Sequence, residues 1–340
     1  MRESRFLTDP VSGDVRKVHS SHALRAGGGI LVLGFAVGIL SHGLNGVLNI
    51  GWAYFEIIYL ALGVFLVGFI EDIYGKLTPS KRIWSVLILV LVAQLGIDFQ
   101  ITSIDVTFLD EILAAGAWVT LAFTSFAILG LVNAFNITDG LNGLSSGLAL
   151  VALAFLYLIA EQANQSEIAI FASLSGFSLA GFYLVNVTTG RLFLGDSGAY
   201  FLGVMIAVLS IILSESVENV SPWFFLCLTI YPVTETLFSI FRRSWKGRHV
   251  GNPDGLHLHT LLFGLLSREM RRVGTSLTHI NTFAGAVIVL TSLLFAGLCF
   301  YVRSDTKILI YLISGYTLLY AYVYAILYRL VAAGESGSVK

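Results

Sequence analysis

The sequence predicts an all-α, polytopic membrane protein of about ten transmembrane helices, a single integral membrane domain over residues 1–340. Three observations predict it. Of 340 residues 56% are hydrophobic and only 12% charged, where a soluble domain carries about one quarter charged residues. The mean hydropathy is +0.83. Apolar runs able to cross a hydrocarbon core of about 30 Å, which takes about 20 residues each, recur along the whole chain.

Taken in order, the runs place spans at 28–48, 52–70, 82–97, 111–132, 141–160, 168–186, 199–214, 222–241, 279–302 and 307–330. Two of them, 82–97 and 199–214, are short for a bilayer and are expected to tilt or to be covered by neighbours. Glycines inside the runs (Gly34, Gly38, Gly63, Gly68, Gly176, Gly181) suit close helix packing in lipid. Residues 101–109 alternate partly and could form a short external strand. The one long polar connection is a His- and Arg-rich loop at 242–278.

Alternation of ten spans puts 18 of the 20 Lys and Arg residues on one side and leaves Arg303 and Lys307 on the other. Lys and Arg excess marks the cytoplasmic face, so both termini and the loops at 71–81, 133–140, 187–198 and 242–278 are expected there. The N-terminus has no short apolar core with a small-residue cleavage site, so no cleaved signal peptide is expected. Cys227 and Cys299 both lie in apolar runs and read as buried side chains rather than a disulfide framework. A net charge of −1 points away from nucleic acid.

Every polar cluster falls on that one face. Glu71-Asp72 ends the second run, and adjacent carboxylates at a membrane boundary need a cation or donors nearby, unless they are simply a hydrated helix end. Asn133, Asn136, Asp139 and Asn142 gather at the junction of two spans, with Gly140 and Gly143 allowing close backbone approach. A capped turn, with Asp139 or Asn142 as N-cap, accounts for one or two of these residues but not four. Gly195-Asp196-Ser197-Gly198 opens a helix and offers backbone N–H groups with a hard oxygen ligand, a pairing suited to Mg²⁺ and phosphate. Arg242-Arg243 is followed by His257 and His259, which share a face only in extended chain. A Zn²⁺ pair lacks a supporting Cys or third His, and the basic surroundings favour phosphate contact. This inventory suits metal-assisted phosphoryl chemistry on a lipid acceptor.

These motifs resemble those of the polyprenyl-phosphate N-acetylhexosamine-1-phosphate transferases, the MraY/WecA type. The resemblance covers about residues 16–265 and rests on an acidic pair after a span, Asn133-x-x-Asn136-x-x-Asp139-Gly140, Phe193-x-Gly195-Asp196-x-Gly198, and a following histidine loop. Arg25-Ala-Gly27-Gly28 is similar to the family's glycine turn, and Pro232-Val-Thr-Glu235 with Arg242-Arg243 to its proline, acid and paired-base stretch. The resemblance implies an MraY-like fold with an active site of cytoplasmic loops in the bacterial inner membrane. It implies transfer of a sugar-1-phosphate from a UDP-sugar to polyprenyl (undecaprenyl) phosphate, releasing UMP, as an early membrane step of polysaccharide, O-antigen or cell-envelope glycan synthesis. Implied roles are catalytic for Glu71, Asp72, Asp139, His257 and His259, and substrate-binding for Lys17, Arg25, Asn133, Asn136, Asn142, Asn186 and Phe193, the last against uracil. Asp196 and Asp72 would ligate Mg²⁺, with Mn²⁺ as an alternative, and a homodimer is compatible with the family.

The departures are specific. The acidic pair is Glu71-Asp72 rather than Asp-Asp, and Glu235 stands where WecA-type members carry Asp. The motif His257-Leu-His259-Thr260 lacks the consecutive histidines of the peptidoglycan enzyme, which favours the WecA-like branch. The alternatives are a polytopic transporter, with ionisable groups near helix midpoints, and a catalytically silent family member.

Overall fold

In hydrocarbon every backbone polar group must be paired within the protein, so each long apolar run winds into a helix. The structure, a computed structural model, describes residues 8–9, 23–45, 52–96, 99–247 and 255–337. Its helices are α1 (Gly27–Leu44), α2 (Trp52–Tyr74), α3 (Pro79–Ala93), α4 (Thr107–Leu113), α5 (Ala117–Thr138), α6 (Leu144–Gln162) and α7 (Ser166–Thr189). They continue with α8 (Gly195–Ser216), α9 (Pro222–Leu228), α10 (Ile230–Trp245), α11 (Leu258–Met270), α12 (Leu277–Tyr301) and α13 (Thr306–Gly337). Two short strands, β1 (Thr8–Asp9) and β2 (Ala23–Leu24), pair antiparallel before α1.

Among the described residues eight helices are long and apolar enough to cross a membrane, and α9 with α10 makes a ninth if that bent pair is one span. The protein is therefore a multi-pass membrane protein, with eight or nine spans by length and composition among the described residues where the sequence predicts about ten. The 82–97 run becomes α3, a helix of 15 residues, about 22 Å long at 1.5 Å per residue and short of the hydrocarbon thickness. The 222–241 run breaks at Thr229, where α9 and α10 meet at 80°. Pro232 lies four residues after Leu228 and has no N–H to give its carbonyl, so the helical ladder cannot run through. The 242–278 connection is not wholly loop, because it contains α11. At 101–109 the chain is irregular and then enters α4, not a strand.

The short run at 199–214 turns out to be the centre of the bundle. It lengthens to the 22 residues of α8, 17 of them buried, with α1, α2, α5 and α6 packed around it. Phe35 of α1 meets Phe201 edge-on, with centroids 5.4 Å apart. Cys227 and Cys299 are free and buried. Two helices also run past their apolar stretches, α2 to include Glu71 and Asp72 and α5 to include Asn133 and Asn136, while Asn186 lies within α7. These polar residues therefore stand on rigid helix ends rather than in loops.

Candidate active site

The N-terminus of α8 collects carboxylates from two other elements. Asp72, in the last turn of α2, accepts the Asp196 N–H on Oδ1 and the Ser197 N–H on Oδ2, both at 2.9 Å. Asp139, the residue after α5, accepts the Gly195 N–H on Oδ2 at 3.2 Å. The first N–H groups of a helix lack intrahelical partners, and here distant side chains supply them. Gly195 has φ +73°, and a Cβ on it would lie 2.6 Å from Asp72 Oδ2, so both conformation and space demand glycine. The expectation that these N–H groups wait for phosphate is corrected: Asp72 and Asp139 already occupy them.

Asp196 points instead to Arg82, whose Nη1 donates to Oδ2 at 2.7 Å. The Arg82 guanidinium also lies in the field of Tyr200 and Glu71. Glu71 accepts the Leu77 N–H on Oε2 at 2.8 Å, closing the turn after α2. Sequence reading missed Arg82 as a site residue. The signal was present: Pro79 at the first helical position, with Thr78 accepting the Lys81 N–H, starts α3 immediately before it.

Asp139 stands among Asp72, Asp196 and Arg25. Burial pushes its carboxyl up to about 7; the Gly195 N–H and Arg25 oppose that rise, and Asp196 and Asp72 add to it. Arg25 arrives on a segment laid against the 191–194 stretch. Leu24 N–H donates to Arg191 O (2.9 Å), Phe193 N–H to Leu24 O (2.8 Å) and Gly28 N–H to Leu194 O (2.9 Å). A side chain on Gly28 would collide with Ser197 Oγ and the Gly198 backbone. Phe193 is only 8% exposed, so its ring forms wall rather than an open stacking face.

The asparagines divide. Asn136 reaches the Tyr200 hydroxyl beside the acids, and Asn133 Nδ2 bonds back to Leu129 O at 2.8 Å. Asn186 is buried and clamps two motif loops, accepting the Gly143 N–H at 2.5 Å and donating to Leu192 O at 2.6 Å. Asn142 is also buried: its N–H goes to Asn281 Oδ1 at 2.6 Å and its Nδ2 to Thr282 Oγ1 at 3.4 Å. Both asparagines hold the loops in place. Neither Asn142 nor Asp139 caps α6, whose N-cap is Gly143 at φ +73° with no side-chain cap. Lys17, together with His249, Asn252, Pro253 and Asp254, lies outside the described residues.

A second cluster adjoins the first. His257 is extended at the start of α11, so the two rings do share a face and stack, with centroids 5.3 Å apart and planes 2° from parallel. His257 leans directly on the buried Glu235, its Nδ1 2.8 Å from Oε1, whereas His259 Nδ1 is hydrogen-bonded to Tyr231 Oη at 3.1 Å and lies 3.9 Å from Glu235 Oε2. The same carboxylate accepts from the Leu258 N–H (3.0 Å), Tyr320 Oη (2.8 Å), Tyr231 Oη (3.3 Å) and Ser239 Oγ (3.2 Å). Burial pulls His259 down to about 4, with Glu235 opposing the fall and His257 adding to it. A Cβ on Gly140 would lie 2.6 Å from His259 Nε2, so the Asp139-Gly140 turn and the histidine stack share a border.

Chemically the arrangement offers oxygen ligands, fixed cations and imidazoles at one end of the bundle. Among the described residues no hydrogen bond reaches Oδ1 of Asp139 or of Asp196. Nor do three His, Cys, Asp or Glu side chains there form a metal-binding group by themselves.

Residues 54–214 match the model of the family described as "Glycosyl transferase family 4". The chain is 30% identical over 254 residues to the phospho-N-acetylmuramoyl-pentapeptide-transferase of Lactobacillus acidophilus, covering 70% of this chain and 75% of that protein. It is 29% identical over 259 residues to the "Probable undecaprenyl-phosphate N-acetylglucosaminyl 1-phosphate transferase" of Bacillus subtilis, covering 74% and 70%. With the phospho-N-acetylmuramoyl-pentapeptide-transferase of Staphylococcus carnosus it shares 28% over 226 residues, 62% and 68% of the two chains.

Proposed function

Because the chain belongs to glycosyl transferase family 4, a family of membrane phospho-sugar transferases, we propose that it moves a sugar-1-phosphate from a UDP-sugar to undecaprenyl phosphate. One observation carries the reading: Asp72, Asp139, Asp196 and Arg82 meet at the start of α8, beside the His257–His259 stack. The family is one of transferases, which leaves the transporter alternative without support, and all the acids of the motif are in place.

An oxygen of the lipid phosphate forms a bond to the sugar-linked phosphorus, the bond from that phosphorus to the UMP oxygen breaks, and UMP leaves. Phosphate monoesters are largely ionised at neutral pH, so the acceptor needs placing more than it needs a strong base. Catalysis is then positioning and charge neutralisation. Arg82 and Arg25 supply fixed positive charge beside the acids. His257, held on Nδ1 by Glu235, would offer its outer nitrogen to diphosphate oxygens, with the buried His259 packed behind it against Gly140. Asn136, bonded to Tyr200 beside the acids, would orient the nucleotide. Asp139, held near 7, can keep or release a proton at working pH.

The oxygen donor set fits Mg²⁺: uncommitted oxygens on Asp139 and Asp196, with Asp72 alongside, would hold the ion together with phosphate oxygens. When bound it would neutralise charge on the diphosphate. The Lys and Arg asymmetry supports a cytoplasmic site in a bacterial inner membrane, with both termini inside. The non-consecutive histidines support an N-acetylhexosamine donor without a peptide, feeding a polysaccharide or envelope glycan pathway.

The test is UMP release by purified protein offered a panel of UDP-sugars with undecaprenyl phosphate and Mg²⁺. Release with a UDP-N-acetylhexosamine is expected. No release with any donor overturns the reading.

A further inference from the structure

A groove of about 320 Å³ runs between α10 and α13, away from the carboxylate cluster. Its walls are Phe238, Phe241 and Trp245 on one side and Tyr324 and Tyr328 on the other. Beside it α10 exposes Leu237, Phe241 and Trp245, at 56%, 62% and 81%. These residues are four apart, one stripe along the helix, and in a membrane protein such a stripe faces acyl chains. Two cations stand among the lining residues, held over rings: Arg242 Cζ lies 5.9 Å from the Tyr324 centroid, and Lys246 Nζ lies 5.3 Å from that of Tyr328.

We propose that this groove is a binding site for an anionic phospholipid, one acyl chain lying along the aromatic wall and the headgroup phosphate meeting the exposed Lys246 at its rim. An apolar trough with an exposed ammonium at its rim, and the largely buried Arg242 behind it, complements a lipid anion, and a zwitterion lacks the net charge to match it. The site is distinct from that of the acceptor lipid. Its lining comes from α10 and α13 alone, whereas the acceptor's phosphate must reach the N-terminus of α8. The groove is also joined to the histidine cluster, since Tyr324 Oη donates to Leu256 O at 3.0 Å, one residue before His257.

The full chain, purified in detergent, is titrated by native mass spectrometry with phosphatidylglycerol, phosphatidylcholine and undecaprenyl phosphate. One phosphatidylglycerol should bind about tenfold more tightly than phosphatidylcholine. Lys246→Gln should weaken phosphatidylglycerol about fivefold, one cation's share of headgroup attraction, and leave undecaprenyl phosphate unchanged. Equal affinity for the two phospholipids, full retention in Lys246→Gln, or one-for-one displacement by undecaprenyl phosphate would overturn the site. Bromine-labelled phosphatidylglycerol gives an independent check on the unaltered chain: it should quench tryptophan emission there and lose that quenching in Trp245→Phe. Equal quenching in both proteins would also overturn it.

Discussion

The imidazole of His257 stacks on that of His259, planes 2° from parallel and centroids 5.3 Å apart, and the buried Glu235 holds the first ring directly and the second through Tyr231 Oη. Glu235 fixes ring orientation from behind, as an outer-layer partner does for a metal-bound histidine. Glu235→Gln keeps the volume and loses the charge. It should lower kcat/KM about 10- to 100-fold, with kcat carrying most of the loss. Wild-type kinetics in that variant would refute the positioning role.

Acid should unfold the protein partly through His259. Its folded pKa, about 4, lies below the unfolded value, so the folded state holds it neutral. The unfolded state binds the extra proton between about 6.5 and 4, and stability is lost as pH falls through that window. Melting temperature against pH should drop there, and the slope should flatten in His259→Asn. An unchanged slope would mean other groups control the transition.

Replacing Asp196 by Asn leaves an oxygen for Arg82 but removes the charge. Turnover should fall by about a thousandfold or more, and any residue of activity should lose its dependence on Mg²⁺ concentration. Normal turnover would remove Asp196 from the proposed ion site.

At Glu71 the opposite is expected. Its carboxylate closes the turn to Leu77 beside Arg82, and an Asp there stays within the same field. Glu71→Asp should retain activity within about tenfold, since one methylene shifts the group without removing it. An inactive Asp variant would show that reach, not charge, matters at this position.

Asn186 should matter for stability rather than chemistry. Asn186→Ala strands the buried Gly143 N–H and Leu192 carbonyl, at a cost of about 1–3 kcal/mol for each unpaired group. The melting temperature should fall by several degrees with KM for the nucleotide sugar little changed; a selective KM effect would restore it as a binding residue.

Much of this was readable in the residues. Apolar runs gave the helices, and the polar clusters at their ends did come together at α8. The acids were legible because charged groups at a membrane boundary are too costly to be incidental. What escaped was tertiary in origin. The break at Thr229 comes from the missing N–H of Pro232, within a run whose hydropathy is continuous. The central position of α8 was hidden because a helix apolar all round reads the same facing lipid or protein. Arg82 looked like one loop cation among many until folding brought α3 to the start of α8. Asn142 and Asn186 carry the same chemistry as a nucleotide ligand, and only their neighbours show that they hold loops.

Arg82 gives the three acids a resident counter-ion. A guanidinium already seated on Asp196 Oδ2 offsets the repulsion among the three carboxylates and competes with a divalent ion for their field, while Asp196 Oδ1 is left for the ion. Affinity for the free ion should consequently be modest, with the sugar nucleotide ferrying it in as a chelate. An inhibitor lacking phosphates could skip that exchange by parking its own carboxylate on the arginine.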